Sequence, residues 1–580
     1  MTDRRPGRPA SALGAGLVAA ALALSGCASI PTSGPVIRGS DVVQGFNAPG
    51  LRARGPVAGD DPVRIVSGFL TAQAAGPAGD FDVAQEFLTD AEAWSWDSQV
   101  LVFDGDLDLT MDEEAVKTGQ VTVTGSATVV GALDKRGVYT EDVPGGEGAV
   151  PVSFGLVRQV DGQWRIETAE DGLLLSESSF QAAFRQTRLY FPSADREVLV
   201  PDDRWFPNRG WQTSAVTEIL IGPVEWLRGA TAPVVPEGTR LSIDAVPSEG
   251  GVTEVRLTDT ISLAPPEDRA LLKAQLAATL FDALPLTVNL YRGEDLLSTP
   301  TGGTVPTKAV TEGSEVVAAE GEVKALDGGA DEATSLSPAV SLAGTTATAL
   351  AQGSNARPLV VRDGTDGLVR LATKNLPQVP LLTGEDLLAP SVDRFGGVWS
   401  GPRAQSGALQ VVRADLAEAG EPVTVAAPWL AGRTVQSIRV AHDGARIAVV
   451  SSDGAGAGAG ARVDVAGIVR DEKDVPTGLS EPFRVGAPIT SASQVVWADE
   501  TTLAVLGTDD TEAAPTVHLV LVGGETTRLS PVAGATAISA GDGDRTVQVL
   551  TQDGTLFGRS RSGAVWEKRI ENVALPAFPG

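Results

Sequence analysis

Across 580 residues the sequence holds one cysteine and two histidines, the residue types from which many catalytic and metal sites are built. A single cysteine, Cys27, excludes any internal disulfide. His442 and His518 lie far apart without ligand spacing, so the zinc patterns and H-E-x-x-H are absent and no metal or other cofactor is expected. G-x-S-x-G is missing, and no Walker loop precedes a Lys-Ser or Lys-Thr pair. An enzyme is therefore not expected. Positive charge is also scarce: the net charge of −29 leaves no basic footprint for nucleic acid. Carboxylates are so plentiful that any particular pair reads as a solvated face. With 42% hydrophobic and 21% charged residues, the chain has the composition of folded protein and length for several domains.

What is present begins at the N-terminus. Arg4, Arg5 and Arg8 precede an apolar run from Ala10 to Leu24. That run is shorter than the roughly 20 residues a spanning helix needs, and with small residues after it the segment reads as a secretory signal. It ends in Leu24-Ser25-Gly26-Cys27, which resembles the lipobox of bacterial lipoproteins. The resemblance implies cleavage between Gly26 and Cys27, with Cys27 carrying an S-diacylglycerol and an N-acyl (palmitate-type) chain. The alternative for Cys27 is a small buried hydrophobe. A twin-arginine route is the lesser reading of Arg4-Arg5, since Pro6-Gly7 follows. At about 0.8 kcal/mol per buried methylene, two or more acyl chains hold stably. The acidic surface would be repelled by anionic headgroups, so the lipid alone must anchor.

Six segments follow from patterning. Residues 1–26 are the signal peptide, and 27–60 are the lipidated cysteine and a flexible tether. Such a coil spans roughly 30 Å on average and about 110 Å when extended. Residues 61–186 open with helical spacing at Val63, Val66, Phe69, Leu70 and Ala74, with a second short helix around Phe81–Leu88. They turn to alternation in Gln120–Gly125 and Val150–Val157, ending at Asp161-Gly162-Gln163-Trp164-Arg165-Ile166. This resembles an NTF2-like α+β domain.

Residues 187–296 run from a strand at Arg188–Pro192 to a helix closed by Gly222-Pro223. A hairpin is expected between Leu241–Ile243 and Val252–Leu257. Pro266-Glu267-Asp268 opens a helix with apolar stripe Leu272, Leu276, Leu280 and Leu284, Phe281 beside it, before a closing strand at Leu286–Tyr291. The order resembles the α/β GerMN domain of bacterial envelope and spore-germination proteins. Trp205, Phe206, Trp211 and Trp226 read as core and loop anchors, with a recognition patch as the alternative.

Residues 297–338 read as a linker, and 339–580 as an all-β propeller. The hairpins at Ser437–Val450, Val495–Leu506 and Ala537–Leu550, with a fainter copy at Ser391–Trp399, recur about every 50 residues, a blade period. Five or six blades fit the length. Trp399 and Trp497 occupy matching places and read as blade packing, and His442 as a turn residue. The alternating Gly454–Gly460 run reads as a loop, not a phosphate site.

Together the lipobox, tether and three units resemble the LpqB lipoproteins of actinobacteria, and the scarcity of Lys beside Ala, Gly, Val and Arg fits a GC-rich genome. The resemblance implies an extracytoplasmic protein, lipid-anchored at the outer face of the cytoplasmic membrane. It also implies a partner, the ectodomain of an MtrB-type sensor histidine kinase, and a regulatory role in the MtrA–MtrB two-component system, cell-envelope homeostasis and division. The alternative is a receptor for a cell-wall fragment or small molecule, although no residue pattern marks its binding site.

Overall fold

The computed structural model describes residues 53–76, 81–141, 149–249, 251–281, 287–300, 305–327, 332–453 and 460–580. Leu24, Ser25, Gly26 and Cys27, the signal segment and most of the tether lie outside the described residues. Residues 49–580 form one compact unit.

Asp61 caps the helix Pro62–Ala75, its carboxylate accepting from the Arg64 amide at 3.0 Å while Pro62 takes a first-turn position. Ile65, Val66 and Phe69 from one face of this helix are buried against a sheet. The sheet runs in the order Trp164–Thr168, Ala149–Arg158, Gln120–Asp134, Gln99–Asp104 and Leu173–Ser176, the last pair parallel. Alternation along Gln120–Asp134 buries Val121 and Val123. The tether ends earlier than expected. Ala53 already packs on this core and the Gly59 amide donates to Gln163 at 2.8 Å, so 53–60 belong to the folded body.

The next layer starts with the hairpin Phe184–Pro192 and Leu199–Pro207. Helix Trp211–Ile221 stops at Gly222, whose φ of 106° suits glycine. Helix Pro266–Thr279 buries Leu272 and Leu276, with Leu280 beyond its end, and links parallel strands Val252–Leu257 and Thr287–Arg292. Phe281, past the helix, is exposed, and Leu284 and Leu286 lie outside the described residues. The expected hairpin shrinks to one bridge, Leu241 with Leu257; the antiparallel partner of Val252–Leu257 is Ser248–Glu249, because the chain turns at Gly251.

The remainder makes six blades among the described residues. Blade two spans 347–383, blade three 391–426, blade four 434–485, blade five 491–528 and blade six 535–570. Blade one is composite: Glu315–Ala319, Glu322–Leu326 and Thr334–Ser341 take Ala574–Ala577 as their innermost strand. Innermost strands touch in succession and Ala535–Ser539 meets Ala574–Ala577, so the ring closes. This corrects the expected linker at 297–338. Glu315–Leu326 is a hairpin whose inner neighbour comes from the far end of the chain. The repeated hairpins seen in the sequence are the first two strands of blades three to six.

Candidate interaction site

The surface that the body offers depends on how its layers are joined. Behind Gly222-Pro223 the chain makes a short turn that buries Val224, Trp226 and Leu227 in one cluster with Val450, Val463, Val485 and Val505 of blades four and five. Trp226 stacks on Phe483 with centroids 5.9 Å apart and planes 11° from parallel. Gly467 makes this approach possible: a Cβ there would fall 2.8 Å from the Trp226 carbonyl oxygen. The turn is thus built into the propeller core, and the layers cannot swing freely.

Buried charges complete the join. Arg204 is fully buried between Asp202, 2.6 Å away, and Glu218, which also receives Arg136 Nε at 2.9 Å from the first layer. Arg188 pairs with Asp203 at 2.8 Å and donates to Thr501 Oγ1 of blade five at 2.6 Å; its guanidinium is held more basic than usual chiefly by the Asp203 charge. Glu141 accepts from the Thr526 amide at 2.7 Å and hydroxyl at 2.6 Å, and burial pushes its carboxyl up despite those bonds. Trp205 Nε1 donates to the Gly523 carbonyl at 2.9 Å. Breaking such a pair from one side leaves an uncompensated buried charge, which costs about 3–5 kcal/mol. The layers and the propeller are therefore joined by buried apolar and polar contacts.

Inside the ring, arginines link successive blades. Arg370 donates to the Ala414 carbonyl at 3.0 Å, Arg470 pairs with Asp393 at 3.0 Å, and Arg446 donates to the Glu500 carbonyl at 2.6 Å. Asp393 also accepts the Trp399 indole at 2.8 Å, and Arg446 lies 4.8 Å over the Trp497 ring.

A model of the LpqB β-propeller domain matches residues 313–579, and one of the LpqB N-terminal domain matches residues 55–181. The chain belongs to the LpqB lipoprotein family. The lipoprotein LpqB of Thermobifida fusca is 26% identical over 97% of both chains, and that of Streptomyces avermitilis 27% over 99% of both. That of Bifidobacterium longum is 33% identical but over only 48% of this chain and 50% of its own. Among solved structures, a nidogen–laminin complex chain covers 46% of this chain and 98% of its own at a TM-score of 0.34 and 8% identity, too remote to carry an argument. These LpqB relatives carry the name of a lipoprotein, not of an enzyme. No helix among the described residues is long and apolar enough to cross a membrane.

Within this LpqB-family body the residues singled out in the sequence fall in separate places. Trp205, Phe206, Trp211 and Trp226 do not converge on one patch: Trp226 locks the turn into the propeller, Trp205 bridges to blade five, and Trp211 lies under Arg185, 4.0 Å from its guanidinium carbon. Phe206 is buried. His442 lies in the first turn of blade four against Gly580, its imidazole held less basic than usual by burial. His518 is buried with Nε2 3.2 Å from Asp509 Oδ2. Residues 454–459 of the Gly-Ala run lie outside the described residues. The inter-blade arginines were missed. Asp443 and Arg446 at i,i+3 was the available signal, but most acceptors are backbone carbonyls, which leave no trace in sequence.

Proposed function

We propose that this chain is a lipid-anchored accessory of an MtrB-type sensor histidine kinase, acting on the MtrA–MtrB system from the outer face of the cytoplasmic membrane. Cys27 carries the S-diacylglycerol and N-acyl chains after cleavage behind Gly26. The first layer is read as NTF2-like and the second as GerMN-like. The observation that carries the proposal is the union of these layers with a closed propeller into one body of the LpqB family. A rigid face on a tether raises its effective concentration toward a neighbouring ectodomain, so even a weak interface is occupied. Signalling then changes only if that interface favours one kinase state over the other. Catalysis has no place in this reading. In cells, Cys27→Ala should lose regulation of the kinase while the purified body still binds its ectodomain. Full regulation by the unanchored variant would defeat the proposal. The alternative, a receptor for a cell-wall fragment or small molecule, is favoured by one observation, a polar cavity between blades one and six.

A further inference from the structure

A second cavity, about 620 Å³, lies between the first two layers, and a junction of this kind is a common place for a small-molecule site. One aromatic side chain stands out in its wall. Trp96 is the only exposed tryptophan among the described residues, at 39%, whereas Trp94, two residues earlier, is 6% exposed. An exposed indole forgoes the burial that normally stabilises so large an apolar surface.

The local chain is strained to hold it there. Phe81 takes a φ of 62°, a left-handed conformation uncommon for an aromatic residue, and such strain gathers at functional sites. Its ring stacks on Trp96 with centroids 4.6 Å apart and planes 20° from parallel. Gly76 makes room for that ring, since a Cβ there would collide with it. Behind it, Phe81 meets Trp94 edge-on at 5.9 Å, and Trp94 meets Phe69 of the core at 5.3 Å. A continuous aromatic series thus runs from the core to the cavity and fixes the indole in its wall.

The rim sets the sign of the ligand. Asp97, Asp134, Asp244 and Glu218 line the cavity against Lys135 and Arg209. Glu218 already holds Arg204 and Arg136, and Asp134 accepts from the Arg136 and Val138 amides at 2.8 and 2.9 Å. Asp97 and Asp244 are exposed. Asp97 accepts from the Ser95 hydroxyl at 2.7 Å, and a carboxylate keeps further acceptor capacity beyond one such bond. The net charge of −29 draws cations toward a cleft of this sign. Among aromatic faces, that of tryptophan attracts a cation most strongly.

We infer that this cavity binds a small organic cation, its charged end stacked on Trp96 and paired with Asp97 and Asp244. A neutral ring would gain the indole contact but nothing from the carboxylates, and an anion would be repelled by them. Thr213 and Thr217 of helix Trp211–Ile221 add hydroxyls for the ligand's polar remainder. The inference goes beyond the kinase reading and does not rest on it.

The test is calorimetric titration of the full chain, in a non-ionic detergent, with choline, methylguanidinium and 3,3-dimethylbutan-1-ol, the neutral isostere of choline. One or both cations should saturate, and the pair tells a methylated ammonium from a guanidinium. The neutral isostere should bind at least about tenfold more weakly than choline or methylguanidinium, whichever saturates. Trp96→Leu keeps an apolar cover over Phe81 but removes the π face, and should weaken the cation by roughly five- to thirtyfold, with Trp96→Phe between the two. Asp97→Asn combined with Asp244→Asn, both at exposed positions, should also weaken it. Absence of saturation by either cation, a neutral isostere that binds as tightly, or a Trp96→Leu or double asparagine variant that binds like wild type would each overturn the inference.

Discussion

Replacing Glu315 by glutamine tests the ring closure through a single titration. Burial pushes the Glu315 carboxyl from 4.5 up to about 7, against the opposing bonds from Gln548 and Arg569. Between those two values the folded chain keeps a proton that the unfolded chain has released. With the folded value raised, the contribution to stability is fully present below about pH 4.5 and is lost as pH rises through about 7. At 1.36 kcal/mol per pKa unit, a displacement of this size amounts to roughly 3 kcal/mol. Glutamine keeps the shape and an acceptor but does not titrate. Whatever constant cost it brings by leaving Arg569 without its counter-charge does not depend on pH over this range. The stability of Glu315→Gln relative to wild type should therefore improve by ~2–3 kcal/mol between about pH 5 and pH 8. Urea denaturation of both proteins across that range measures it. A difference that stays flat, or that runs the other way, would refute the placement of a buried carboxyl at the closing seam.

Other perturbations probe the join and the ring. Trp226→Ala removes the ring stacked on Phe483 and should cost about 3–5 kcal/mol, read as a lower urea midpoint with easier proteolysis between the layers. Deleting residues 574–580 removes the innermost strand of blade one, so the truncated chain should lose cooperative unfolding and protection in Val316–Ala318 by hydrogen exchange. His442 is held less basic by burial, so the unfolded chain takes up its proton first. Stability should fall as pH drops below about 6.5, and His442→Gln should flatten that fall in thermal melts.

Legibility in the sequence followed the range of the interactions. Local devices were readable: Pro266-Glu267-Asp268 opens a helix, Gly222-Pro223 closes one, and the paired strands of blades three to six repeat in sequence because each hairpin is local. Blade one was read as linker because its hairpin at Glu315–Leu326 finds its inner partner at Ala574–Ala577, a pairing that no window of sequence contains. Trp226 was recognised as an anchor, but not that it anchors in blade four, since Phe483 and Gly467 are remote in the chain. Gln548 and Glu315 are unremarkable alone; only ring closure sets them 2.7 Å apart over a cavity. The tether boundary failed for a simpler reason: Ala53 and Gly59 are held by contacts with the sheet, not by periodicity of their own.

The most direct test of the central claim is titration of the purified body with the ectodomain of a co-resident MtrB-type kinase at two salt concentrations. The account predicts saturable binding by the intact body and its loss when Trp226→Ala loosens the layers from the propeller. No binding at micromolar concentrations would contradict the kinase-accessory reading.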